Sequence, residues 1–209
     1  MKYIIWIDET GRWPWLGPVC AVAFCFNPKN KPDKNFISKL NDSKKISEKK
    51  REKIYTELIE LSRWKNPKIF FWLWLVDNFI IDEINIKQAN KEAMRRAIIE
   101  LSRKISFENI EVLIDWRDNY NFEELTEKPT YIIWWDWKIP EIAAASIISK
   151  VFKDKILEQY DSLYPDLWIK NHKWYWTKKH KENLKNSNNI TWIHRLTYKP
   201  IKKILENNL

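Results

Sequence analysis

The chain has 209 residues and a formal net charge of +9, from 37 Lys and Arg against 28 Asp and Glu. That length suits one domain with a proper core, and the basic balance favours a polyanionic partner such as nucleic acid. No apolar run approaches membrane-spanning length, and the few residues before Asp8 are too little for a signal peptide, so a cytoplasmic location with no membrane partner is expected; its two cysteines suit a reducing compartment.

In chain order, Tyr3-Ile4-Ile5-Trp6-Ile7 reads as a buried strand that stops on two acids, Asp8 and Glu9. Gly11-Arg12 and Gly17-Pro18 are turn chemistry, and Val19 to Phe26 is a second apolar strand with Cys20 and Cys25 on opposite faces, as core thiols. A proline-punctuated loop spans Asn27 to Asp33. Ser47 is placed to cap a helix over Ser47–Arg63, where Ile54, Leu58 and Leu61 recur at helical spacing and the lysine run forms a solvated face. Lys68–Val76 reads as a strand and Ile81–Lys104 as a long amphipathic helix. Glu111–Asp115 is a further strand ending on an acid, and Tyr131–Trp135 ends on Asp136. Pro140 opens a long helix whose small start, Ile142 to Ile147, allows close packing. The tail from Tyr164 is mixed, with short helices near Lys178–Lys185 and Lys199–Glu206.

Strands that terminate in Asp8, Asp115 and Asp136, with Glu9 beside the first, would bring four carboxylates to one sheet edge, where open α/β sheets place their sites. Any one acid pair alone reads equally well as a solvated strand end. Four together repel strongly, and a hard divalent cation is the natural counter-ion. Two such ions about 4 Å apart activate a water on one side of a phosphodiester and stabilise the leaving oxygen on the other. The three histidines lie late, away from any nucleophile signal.

Several segments resemble one family. IDETGRWPWLGPV from Ile7, LNDSKKISEKKRE from Leu40, IDEINIKQANKEAMRRAI from Ile81, VLIDW from Val112, IIWWDWKIPEIAAASIISKVFKDK from Ile132, YPDLWIKNHKWYWTKKH from Tyr164 and IHRLTYKP from Ile193 resemble, in order, the motifs of the type 2 ribonucleases H, ribonuclease HII. The resemblance covers nearly the whole chain. It implies a ribonuclease H-like α/β fold: a mixed five-stranded sheet flanked by helices, in one domain over 1–209, with a small C-terminal helical substrate-binding region over about 164–209. It implies an endoribonuclease, dependent on Mg²⁺ or Mn²⁺ and acting as a monomer on RNA–DNA hybrids. It also implies incision 5′ of ribonucleotides embedded in duplex DNA, leaving 3′-hydroxyl and 5′-phosphate ends. Type 3 relatives carry an N-terminal extension ahead of the first carboxylates, which here stand at residue 8. The alternative is a catalytically inactive hybrid-binding module.

Carried over by motif, the family's acidic metal ligands fall on Asp8, Glu9, Asp115 and Asp136, with Asp154 as an auxiliary acid. Gly11, Arg12 and Trp13 occupy the loop that reads the 2′-hydroxyl through backbone groups, and Tyr175 the position that stacks on the following sugar. Lys45, Lys138, Ser146, Lys150 and Arg195 are implied contacts to phosphate or to the residues around the metal. The main departure is compositional. There are 2 glycines and 14 tryptophans, where a chain of this length ordinarily holds roughly 15 glycines. Trp6, Trp13, Trp116, Trp134, Trp135, Trp168, Trp174 and Trp176 each stand where the family has glycine. The expectation is a gene whose UGA codons mean glycine, written as tryptophan. Trp15 falls at a variable family position and suits a true tryptophan; Trp64, Trp72, Trp74, Trp137 and Trp192 stay unassigned.

Overall fold

Ile5 and Ile7 are fully buried with Trp6 nearly so, as in a strand covered on both faces. They belong to β1 (Tyr3–Thr10), the central strand of a five-stranded sheet. The computed structural model describes residues 2–40, 46–63, 65–105, 110–114, 120–125, 127–132, 139–167, 169, 177–186 and 190–207. On one side β1 pairs antiparallel with β2 (Val19–Phe26), which pairs antiparallel with β3 (Ile69–Val76). On the other it pairs parallel with β4 (Ile110–Ile114), and β4 pairs parallel with the short β5 (Thr130–Tyr131). The order is therefore β3-β2-β1-β4-β5, a mixed sheet as expected.

Every residue of β2 is buried, and strand alternation divides its side chains between two cores. Val19, Ala21, Ala23 and Cys25 join Ile5, Ile7 and the apolar stripe of α3 (Asn78–Ile105). Cys20, Val22, Phe24 and Phe26 join α2 (Glu48–Arg63) and α4 (Pro140–Leu163). Helices thus cover both faces. The two cysteines are free and fall on opposite faces. Burial pushes up both thiols, that of Cys25 to about 12.

Local chemistry sets the helix starts. The Ser47 hydroxyl accepts from the Lys50 N–H at 3.3 Å, capping α2. A short α1 (Lys34–Lys39), which apolar periodicity does not reveal, forms because the Asp33 carboxylate accepts from the Phe36 N–H at 2.8 Å. Helix α3 starts before Ile81 and is broken at Asn85 (φ 68°, ψ 161°), whose Oδ1 accepts from the Lys87 and Gln88 N–H groups and so caps the second segment. That conformation is one ordinarily kept to glycine, here accompanied by local side-chain bonds of the kind asparagine forms, so one amphipathic pattern hides two helices.

The tail closes over the chain that follows β1. Leu184 of α5 (Lys178–Asn186) and Ile201 and Ile204 of α6 (Lys199–Asn207) pack with Trp15, while Leu157, Leu167, Ile169 and Ile193 pack with Leu16. Among the described residues, no helix is long and apolar enough to cross a membrane.

Candidate functional site

Strand β1 does not stop at Ile7. Asp8, Glu9 and Thr10 continue the ladder opposite Val22, Ala21 and Cys20 of β2. The acids lie inside the strand because β2 supplies their backbone pairing, which the apolar run alone does not reveal. On the other side, the described part of β4 ends at Ile114, opposite Ile7. Both acids are half-buried there. Alternation turns Asp8 to the face of Val22 and Glu9 to that of Ala21. The Asp8 charge acts, after burial, to raise the Cys20 thiol on its own face.

Asp115 and Asp136, with Lys45, Lys138 and Tyr175, lie outside the described residues. Among the described residues no three His, Cys, Asp or Glu side chains come together as a metal site. Asp8 and Glu9 are thus the two expected ligands whose positions are described.

Beyond Thr10 the chain turns through the Gly11–Gly17 loop. Gly11 has φ 87°, and a Cβ there would meet the Pro18 carbonyl oxygen at 2.6 Å, so backbone shape and space both require glycine. Trp13 is 74% exposed, with the half-buried Arg12 guanidinium over its ring at 5.8 Å. Arg195 is 0% exposed. Contact with a phosphate needs an accessible guanidinium, which corrects that half of the expectation for Arg195. Its donors are turned instead into the loop, on the carbonyl oxygens of Gly11, Arg12, Pro14 and Gly17 and the hydroxyl of Tyr198. The Tyr198 hydroxyl in turn donates to the Arg12 carbonyl at 2.9 Å.

Sequence reasoning missed Tyr198, Asn78 and Asp82. Asn78 donates to the carbonyls of Trp192 and His194, and Asp82 accepts from the N–H groups of Leu196 and Thr197. These partners are more than a hundred residues apart, so no local spacing exposes them. Ser146, Lys150 and Asp154 stand four residues apart along α4 and form one half-buried stripe. Leu157, one turn beyond Asp154, packs with Leu16, which places this half of α4 against the loop end of β1.

Residues 5–201 match the family model described as ribonuclease HII. A ribonuclease HII of Fusobacterium nucleatum is 37% identical over 205 residues, covering 98% of this chain and 88% of that protein. The crystal structure of ribonuclease H2 from Pyrococcus horikoshii superposes with a TM-score of 0.76 at 24% identity, over 98% of both chains. Bst-RNase HIII in complex with Mn²⁺ superposes with a TM-score of 0.71 at 15% identity, over 99% of this chain and 70% of that one. At such identities the two structures speak for the fold.

Proposed function

From the premise that the chain belongs to the ribonuclease HII family, and so is a metal-dependent ribonuclease H, we propose that Asp8, Glu9, Asp115 and Asp136 form its hydrolytic site. The RNA strand of RNA–DNA hybrids is its substrate. Duplex DNA carrying a single ribonucleotide, incised on the 5′ side to leave 3′-hydroxyl and 5′-phosphate ends, is the second. The observation that supports this most is the register of β1 with β4, which pairs Ile7 with Ile114, the residues that precede Asp8 and Asp115 in sequence.

The donor chemistry fits Mg²⁺ or Mn²⁺. Asp8 and Glu9 are carboxylates at a partly open strand end, whereas both thiols are buried in the cores. Mn²⁺ is the ion held by the related fold of Bst-RNase HIII. Bound there, the ions supply an acidified water and charge neutralisation at the phosphate. The chain's own groups do the rest. Backbone of the Gly11–Trp13 loop meets the 2′-hydroxyl, and Tyr175 stacks on the next sugar. Lys45, Lys138, Ser146 and Lys150 take the phosphates, and Asp154 assists the quartet. The region from about 164 to 209 forms the substrate-binding side of a single domain, acting as a cytoplasmic monomer. A labelled duplex with one ribonucleotide tests this reading: cleavage with Mg²⁺ or Mn²⁺ that EDTA abolishes is expected. Binding to hybrid without cleavage in either metal would leave only a binding module.

The proposal includes the unusual composition: tryptophans at family glycine positions are read as glycine in the natural protein. Trp13 is the case that bears on activity, since a large side chain stands where backbone must approach the ribose. Among the described residues Asn85 is the only non-glycine with positive φ, so at Trp6 and Trp13 the backbone conformation does not call for glycine. Trp6 packs with Leu113 and Ile142, and Trp72 and Trp74 stand opposite Ala23 and Ala21 with Lys104 and Arg96 over their rings. The eight family positions, not these contacts, support the reading.

A further inference from the structure

We infer that Arg195 is a positioning residue that ties the substrate-reading loop to α3, and that its loss penalises cleavage at a lone ribonucleotide more than cleavage of continuous RNA. The inference rests on the ribonuclease reading of the Gly11–Trp13 loop given above.

The Arg195 contacts are unusual in chemistry and in reach. Its Nη2 donates to the Gly11 carbonyl at 2.6 Å and its Nε to the Gly17 carbonyl at 2.9 Å. Its Nη1 lies 3.1 Å from the Arg12 carbonyl, 2.8 Å from that of Pro14 and 2.8 Å from the Tyr198 hydroxyl. One planar fork therefore spans both ends and the middle of the loop. A lysine presents its three donors from one nitrogen and cannot reproduce that spread.

Orienting carbonyls also orients amides. In a trans peptide the C=O and the following N–H point in opposite directions. With the oxygens of Gly11, Arg12 and Pro14 turned in toward Arg195, the N–H groups of Arg12, Trp13 and Trp15 are turned to the opposite side. A buried cation thus sets the direction of the donors that a ribose hydroxyl would meet, without touching substrate.

The other end of the device is anchored. Asn78 and Asp82, in the first two turns of α3, hold the backbone on both sides of Arg195, through the Trp192 and His194 carbonyls and the Leu196 and Thr197 N–H groups. Two backbone bonds join the segments directly, from Arg195 N–H to the Trp15 carbonyl and from Gly17 N–H to the Ile193 carbonyl, each 2.8 Å. The loop is thereby located by α3 as well as by β1, which carries Asp8 and Glu9. A lone ribonucleotide offers one 2′-hydroxyl and one productive register, so a small displacement of loop against acids is felt in full; a long hybrid offers many registers.

The test measures kcat and KM of the full chain with Mg²⁺ on a duplex holding one ribonucleotide and on an uninterrupted hybrid of equal length. Arg195→Lys is expected to lower kcat/KM on the first at least about tenfold, mainly in kcat, and on the second by less than about threefold. Arg195→Ala should regain single-ribonucleotide cleavage in millimolar guanidinium but not in methylammonium. Tyr198→Phe, which keeps Arg195 and loses one bond to the Arg12 carbonyl, carries the test if the alanine variant fails to fold, with a smaller loss in the same direction. An active wild type whose variants lose both substrates equally, or lose neither, overturns this inference alone. A wild type that cleaves neither substrate overturns the underlying reading and this inference with it.

Discussion

Ile7 and Ile114 are partners in the parallel ladder between β1 and β4, and an acid follows each of them, Asp8 and Asp115. Ile114 is also partnered with Tyr131 of β5, again in parallel. Parallel strands carry their C-terminal ends to one edge of a sheet, and an α/β protein places its chemistry beyond that edge. Asp8 and Glu9 lie in the last rungs of the β1 ladder, and in sequence Asp115 comes next after β4 and Asp136 five residues after β5.

Gly11 gives the first prediction. Alanine there would hold φ near 87° with its Cβ 2.6 Å from the Pro18 carbonyl oxygen. Strain of this kind costs roughly 1–3 kcal/mol, so Gly11→Ala should lower the urea midpoint and reduce cleavage together. Unchanged stability and activity would show that the loop does not need this conformation.

Tyr175 gives the second. Aromatic stacking contributes roughly 1–3 kcal/mol, so Tyr175→Ala should markedly weaken cleavage at a single ribonucleotide. Long hybrids, with many registers, should suffer less. Equal losses on both would count against a role in reading the junction.

Glu92 on α3 gives a pH dependence. Its carboxylate accepts from Arg95 and Arg96, and the Arg95 bond first holds its pKa down to about 2. A depressed acid contributes stability above its ordinary range, near 4.3, that is lost as pH falls toward about 2. The pair is half-buried at the surface and still screened by solvent, so the contribution at pH 7 is at most about 1 kcal/mol. Glu92→Gln should be less stable than wild type at neutral pH, and the gap should close in acid. A gap independent of pH would contradict the assignment.

How much of this was legible in sequence depends on where the cause lay. β2, β3, α2, α4 and the helices of the tail announce themselves through periodicity, caps and Pro140, all local signals. The extension of β1 through Glu9 was hidden because pairing with β2, not hydropathy, keeps the strand going. Asn85 was hidden because the apolar stripe of α3 runs across its break. The acids at 8 and 9 stood out as carboxylates against an apolar strand, whereas Arg195 carried no sign of burial. A guanidinium that bonds to carbonyls 178–184 residues away leaves no trace in local composition.

The tryptophan reading predicts a mass. Overpacking costs about 1–3 kcal/mol per site, and several such sites exceed the usual stability margin. Peptides from the native source that span residues 134–135 and 174–176 should carry glycine at Trp134, Trp135, Trp174 and Trp176. Tryptophan in those peptides would defeat the reading.

The most direct measurement of the central claim is Mg²⁺-dependent cleavage by Asp115→Asn of a duplex with one ribonucleotide, beside wild type and with circular dichroism as the check on folding. Asparagine removes a ligand charge at little steric cost, so the account predicts a folded variant with cleavage abolished. Near-normal cleavage by that variant would contradict the acidic quartet as the site.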